Sequence, residues 1–367
     1  MTERRCHKLP TWDRRLSGVP EGRHSDLKKS LSMLKSPVRL ALMFLFLLFG
    51  TSAAESDTSR IQSVLNEAHQ RFASVADGKN ADYIPYLAGV DSNLFGLAVV
   101  TVDGEVLTAG DSDYQFAIES ISKVFTLSLA LQENGPEVIL EKIGVEPTGL
   151  PFNSVMAVEL EPDHTVNPLV NAGAMATTSL IKGPDRWNSI LSYYGKFAGE
   201  PLQLIEAVDR SEAATNTRNR ALANLLHSYG RMYCPPDEAL DEYTKQCSVG
   251  VSARQLAMMG ATLANGGVHP KNGERVLEEA LVPKVLAVMQ TGGFYDGSGQ
   301  WTYEVGLPGK TGVGGGIVVV VPGRMALAAF SPPLDEHGNS VRAQLALKFL
   351  AQELGLNLFF SPIKKTR

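Results

Sequence analysis

The feature that most narrows what this chain can fold into is a set of short apolar runs placed far apart. Leu97–Val102 is one, and Ile317–Val321 and Met325–Phe330 are two more. Runs of this length between turn residues read as buried strands, being too short for helices. Asp103-Gly104 follows the first run as a two-residue hairpin turn, with Glu105–Ala109 as the returning strand. Pro322-Gly323-Arg324 joins the second pair. Residues 120–290 between them read as mostly helical, with helical spacing over 121–133, 211–229 and 252–264. An amphipathic helix precedes the first strand through Ile61, Leu65, Ala68, Phe72 and Val75. Another follows the last strand through Val341, Leu345, Phe349 and Leu350, with Gly355 as its stop. Helix, hairpin, helical insert, strands, helix is the order of an α+β fold. It predicts an antiparallel sheet built from both ends of the chain, flanked by helices and carrying a helical subdomain. There is no internal repeat and no low-complexity linker.

The N-terminal segment differs in kind. Residues 1–39 carry ten Lys/Arg against four acidic side chains, although the whole chain is −5 at pH 7. Leu40–Gly50 is an apolar run too short to span a membrane, which takes about 20 residues. It matches the core of a signal peptide, with Thr51-Ser52-Ala53-Ala54 supplying small residues for cleavage. The basic stretch is long for such a signal, and a start at Met33 restores the usual proportion. The expectation is a leader over residues 1–54 and a single catalytic domain over 55–367. It places the mature protein in the periplasm or outside the cell, with membrane contact only through an uncleaved leader. A cytoplasmic protein with an unusual tail is the alternative.

The acidity of the remainder gives no prior for nucleic acid, which wants a basic face. Three cysteines exclude a disulfide scaffold. Cys6 falls in the leader, while Cys234 and Cys247 either pair in an oxidising compartment or stay as buried thiols. Seven histidines show no metal-ligand spacing. Gly312–Gly316 follows no strand-to-helix turn, so there is no dinucleotide fingerprint. No metal and no organic cofactor is expected.

Ser120-Ile121-Ser122-Lys123 carries the chemistry. A serine hydroxyl is a weak nucleophile without a base beside it, and a lysine three residues on shares its helix face. Lysine is a base at neutral pH only when desolvated, and Ile121, Val124 and Phe125 supply apolar surroundings. The same pattern recurs at Ser25, Ser32, Ser179 and Ser361, where solvated surface is the simpler reading. Ser120 alone follows a sheet hairpin closely and opens a strongly apolar helix. Gly309-Lys310-Thr311-Gly312 is the second signal. A phosphate-binding loop would need glycine at 304, which is Glu304, and a helix where the strand Ile317–Val321 follows. The alternative is Lys-Thr-Gly on an edge strand, which together with Ser-x-x-Lys marks penicillin-recognising serine enzymes. Their third element, Ser-x-Asn or Tyr-x-Asn, is absent, so penicillin chemistry is in doubt. A serine β-lactamase-like hydrolase and a non-catalytic amino-acid-binding protein stand as rival readings.

Six spaced motifs carry a closer resemblance. Ala81–Pro85, Glu119–Phe125, Pro151–Ser154, Asn167–Ala174, Val305–Gly316 and Ser331–Asp335 resemble the serine-dependent glutaminases, over about residues 60 to 355. That family is similar in fold to the serine β-lactamases and penicillin-binding enzymes. The resemblance implies hydrolysis of L-glutamine to L-glutamate and ammonia, with Ser120 as nucleophile and Lys123 as its base. It implies an oxyanion held by the backbone N–H groups of Ser120 and Val313. Tyr243 and Tyr295 would relay protons and contact substrate, and Tyr83, Asn171, Glu212 and Asn219 would bind the amino-acid end. A homo-oligomer, usually a tetramer, is also implied. Spacing alone places Glu212 and Asn219 on one face of a single helix, where an exposed polar face is the bland alternative. Two departures stand out. Glu119 replaces a Gln common in the family, and it is expected to point away from Lys123 or be paired. Thr311 replaces a serine and keeps the hydroxyl.

Overall fold

The computed structural model describes residues 57–360. The leader, the Met33 start, Cys6 and the Ser-x-x-Lys patterns at Ser25, Ser32 and Ser361 lie outside the described residues.

Helix α1 (Asp57–Phe72) buries Ile61, Leu65 and Ala68, and Val75 lies beyond its end. Strand β1 (Gly96–Thr101) pairs antiparallel with β2 (Val106–Gly110). Their turn holds three residues, not the two expected. The Thr101 N–H donates to the Glu105 carbonyl at 3.0 Å, and the Gly104 N–H to the Thr101 carbonyl at 3.0 Å. Gly104 has φ +84°. A left-handed glycine closing a three-residue turn suits the strand twist as well as a two-residue turn does.

β3 (Phe116–Ala117) runs through a 3₁₀ turn, Glu119–Ile121, into α2 (Ser122–Asn134). The helical insert continues with α3 (Asn171–Ser179) and α4 (Arg186–Ala198), then the short β4 (Gln203–Leu204). After it come α5 (Glu206–Thr215), α6 (Thr217–Ser228), α7 (Pro236–Cys247), β5 (Val249–Val251) and α8 (Ala253–Ala264). The chain then forms β6 (Gly309–Thr311), β7 (Gly316–Val321), β8 (Met325–Phe330) and α9 (Val341–Glu353).

The main sheet has the order β2-β1-β8-β7-β6. Gly96 and Gly316 flank Phe330 from either side, so the first strand and the last two are paired as expected. β1, β7 and β8 are buried along their whole length. Alternate residues therefore face two different layers. Leu97, Val99, Val319 and Leu327 join the apolar cluster of α1 and α9. Ala98, Val100, Val318 and Ala328 join the cluster that contains α8 and the helical insert. On α9 the inward residues are Ala343, Ala346, Leu347 and Leu350, while Leu345 is exposed. Small residues let this helix sit close to its neighbours, which turns Leu345 outward.

The second sheet, β3-β5-β4, has strands of two or three residues and left no periodic signal. It fixes the approach to the site. Phe116 pairs with Val251, and the Ile118 N–H donates to the Val249 carbonyl at 2.8 Å.

Candidate active site

Ser120 does not open a helix, contrary to expectation. It occupies the 3₁₀ turn, and α2 begins two residues later. Glu119, just before it, has φ +51°, a conformation that cannot pass regular α geometry forward and costs about 1–3 kcal/mol for a non-glycine residue. In a 3₁₀ turn positions i and i+3 eclipse, so Ser120 and Lys123 still share a side.

Lys123 is 1% exposed. Its Nζ donates to Asn171 Oδ1 at 2.6 Å and to the Leu169 carbonyl at 3.4 Å. Asn171 in turn donates from Nδ2 to Asn219 Oδ1 at 2.9 Å. The ammonium also lies over the rings of Tyr243 and Tyr295, at 5.7 and 5.6 Å from their centroids. Burial draws the Lys123 pKa down to about 8, with Cys247, Glu119 and Glu212 opposing. No Ser120–Lys123 hydrogen bond is formed among the described residues.

Tyr295 is buried and has φ +56°, the same left-handed strain as Glu119. Its hydroxyl lies beside that of Ser120, with no partner in hydrogen-bond geometry. Burial pushes its pKa up, and that of Tyr243 far up, so both phenols stay protonated. Seven residues expected at the site line a single pocket: Tyr83, Ser120, Asn171, Glu212, Asn219, Tyr243 and Val313. The Ser120 and Val313 N–H groups have no backbone acceptor among the described residues. That is the state an oxyanion-binding pair requires. Gly314 presses this loop against the turn. A side chain there would meet the Ala117 carbonyl at 2.4 Å and Glu119 Cγ at 3.1 Å.

Glu212 and Asn219 are not on one helix. Asn216 separates α5 from α6, and the two residues reach the pocket from consecutive helices. Nothing in the local composition marks this break, because no Gly or Pro occurs in 206–228. Glu119 is buried beside Glu212, their donor atoms within 4.8 Å, and it does not point away, because its carboxyl also raises the Lys123 pKa. Burial and the neighbouring Glu212 carboxylate hold the Glu119 carboxyl well above the usual range, while burial raises Glu212 to about 7.

Sequence reasoning gave no site role to Cys247, Glu119 or Lys310. Cys247 lines the pocket four residues after Tyr243, on the same side of α7. It is a free thiol, as is Cys234. Glu119, Glu212 and Cys247 bring donor atoms within 4.8 Å of one another, the arrangement nearest to a metal-ligand set among the described residues. Lys123 beside them disfavours a cation of full charge there. Lys310 does sit on an edge strand, β6, and is fully buried. Its Nζ donates to the Thr311 carbonyl at 2.7 Å and lies 4.0 Å from the Tyr295 ring centroid. Burial, then the Lys123 charge, hold its pKa well below the ordinary lysine value. Its Lys-Thr-Gly context was the available signal.

Residues 78–359 match the family model described as Glutaminase. Glutaminase 1 of Shigella flexneri is 54% identical over 306 residues, 83% of this chain and 99% of that protein. A glutaminase of Brucella canis is 54% identical over 307 residues, covering 83% and 97%. Among solved structures, one described as a probable glutaminase superposes with TM-score 0.82 at 53% identity, covering 83% of this chain and all of that one. A probable glutaminase from Bacillus subtilis, complexed with 6-diazo-5-oxo-L-norleucine, gives 0.75 at 31% identity, covering 81% and 96%. This chain belongs to the glutaminase family.

Proposed function

We propose that this chain hydrolyses the side-chain amide of L-glutamine through a Ser120–Lys123 acyl-enzyme. The observation that carries the reading is Lys123, desolvated and pinned by Asn171, which lines the pocket with Ser120. A lysine near pKa 8 is partly neutral at physiological pH and can accept the Ser120 proton. Ser120 Oγ attacks the amide carbon, and the negative oxygen is met by the N–H groups of Ser120 and Val313. The proton held on Lys123 passes to the leaving nitrogen by way of Tyr295 or Tyr243, and ammonia departs. Water then attacks the ester on Ser120, its proton returns to the serine oxygen, and L-glutamate leaves.

The remainder of the pocket suits a free amino acid. Glu212 offers a carboxylate to an ammonium, and Asn171, Asn219 and Tyr83 offer donors to an α-carboxylate. A family relative is complexed with 6-diazo-5-oxo-L-norleucine, a diazoketone built on the glutamine skeleton, which supports the same substrate class. A pocket of this kind separates glutamine from asparagine, one methylene shorter, by about 1–3 kcal/mol.

Steady-state ammonia release from glutamine tests the reading. Ser120→Ala is expected to lower kcat by at least about 10⁴-fold with an unchanged circular dichroism spectrum. Full activity in that variant, or labelling of Ser120 by a fluorescent penicillin with no glutamine turnover, would sink it. The same reading takes residues 1–54 as an export leader, 55–367 as the catalytic unit, and a homotetramer as the working form. Its support is the apolar run before Ala54 and the family resemblance. An intact Met1 on the purified protein, or a monomer by light scattering, would end those parts.

A further inference from the structure

Behind the pocket lies a polar cluster that the reaction does not touch. Gln246, on α7, is fully buried and is not among the residues lining the pocket. Its amide oxygen accepts from the Thr126 hydroxyl on α2 at 2.7 Å and from the Thr178 hydroxyl on α3 at 3.3 Å. Each of these helices carries a site residue on the same face. Lys123 precedes Thr126 by three residues, Tyr243 precedes Gln246 by three, and Asn171 precedes Thr178 by seven. One amide therefore ties together the helices that supply the base, the side chain that holds it and a ring beside it. A fourth helix joins from behind. The Tyr194 hydroxyl on α4 donates to the Ser122 carbonyl at 2.9 Å and meets the Thr126 hydroxyl at 2.5 Å. Ser122 lies between Ser120 and Lys123, so this contact bears on the turn that spaces them. The tie is a poor device for stability alone. Gln246 Nε2 is buried with no partner among the described residues, and an orphaned donor offsets what the two bonds contribute. Without the amide, Thr126 would keep Tyr194, and Thr178 would keep the Ala174 carbonyl at 2.9 Å. An unmet group of this kind behind a reaction centre marks geometry held at the expense of stability.

We propose that Gln246 is a positioning residue: its amide locks α2, α3 and α7 together so that Lys123 stays dry and seated against Asn171. The inference rests on the glutamine reading above and adds to it a residue that touches neither substrate nor the reacting atoms. The charged and titratable groups facing Lys123 are Glu119 on its turn, Glu212 on α5, Tyr243 and Cys247 on α7, Tyr295, and Lys310 on β6. Removing the Gln246 amide leaves every one of them in place. What changes is the access of water. A loosened lock relaxes the burial that depresses the lysine, and its pKa rises from about 8 toward the ordinary value.

An NMR titration of isotope-labelled lysine side chains, with the Lys123 signal assigned by its loss in Lys123→Met, reads the proposal without requiring turnover. Gln246→Met keeps the length of the side chain and removes the amide. It is expected to raise the Lys123 midpoint by at least about half a pH unit. Its kcat for glutamine should fall about tenfold or more, through misplacement of the base. Its melting temperature should stay within about 4 °C of the parent, because the lost bonds and the lost orphan nearly cancel. Thr178→Val, which removes the tie to α3 and keeps the side-chain shape, should move the midpoint the same way by less. Thr178→Ser, which keeps the hydroxyl, should restore the parent's value. Four results overturn the proposal: a Lys123 midpoint that stays put or falls in Gln246→Met, a kcat that is undiminished there, a midpoint unmoved in Thr178→Val, or a Thr178→Ser variant as shifted as Thr178→Val. If Gln246→Met does not fold, the two Thr178 variants alone decide. A parent that releases no ammonia would refute the proposed function and leave the titration to decide this inference.

Discussion

On one face of the main sheet, α1 and α9 close over Leu97, Val99, Ile317, Val319 and Leu327 in an apolar cluster. Arg342 is buried at its rim, and its guanidinium donates to the carbonyls of Ser92, Asn93 and Ala73. On the other side of the molecule, the turn ahead of α2 and the edge strand β6 bury Glu119, Lys123 and Lys310 close together. The first region satisfies the ends of that guanidinium and leaves its Nε without a partner. The second leaves Glu119 Oε1, Tyr295 Oη and Thr311 Oγ1 without partners, and holds Glu119 and Tyr295 in left-handed backbone. Two of the three non-glycine residues in left-handed backbone among the described residues thus stand where chemistry is expected, and the strands between the two regions are apolar and buried throughout.

The contrast can be broken from either side. Replacing Lys123 by Met is expected to lower kcat by about 10³-fold or more, because the base is lost. It should leave unfolding free energy within about 1 kcal/mol, since removing a desolvated amine offsets the lost Asn171 contact. A fall in stability larger than the fall in activity would show that Lys123 is structural. On the opposite face, Leu347→Ala should cost about 2–5 kcal/mol of stability by leaving a cavity. Its kcat/KM, measured well below the melting temperature, should stay within about twofold. A large activity loss there would mean that the two regions are coupled through the sheet.

The smallest effect is the pH dependence. Below about 8 Lys123 carries its proton and cannot take that of Ser120. The kcat/KM for glutamine should therefore fall as pH drops below that value, more steeply below about 7 where Glu212 also gains a proton, and level off above about 8. A profile flat from pH 6 to 9 would assign the base elsewhere.

Much of this architecture was legible in the chain. The strands announced themselves because β1, β7 and β8 are buried on both faces and so read as unbroken apolar runs. The capping box at Ser252 and Gln255 likewise starts α8 where periodicity placed it. Local pattern failed where a long-range contact decides. The break at Asn216, the 3₁₀ turn at Ser120 and the three-residue sheet partner β5 are imposed by packing between distant segments. Burial of Glu119 and Lys310 could not be read from sequence either, because charged residues default to the surface. Glu119 was noticed only as a departure from a family habit, and its place beside Glu212 is a tertiary fact.

The sheet order has a consequence for how the protein comes into being. β8 is the last strand made, and it lies between β1, the first, and β7. The turn bearing Ser120 is emitted early, but the loop bearing Val313 and the strand bearing Lys310 arrive near the end. Until they pair, β1 and β2 are a lone hairpin, which is marginal in water. Such high contact order slows folding and exposes strand edges meanwhile. A growing chain therefore holds a serine and a lysine but no oxyanion site, and amide cleavage reports a chain finished from end to end.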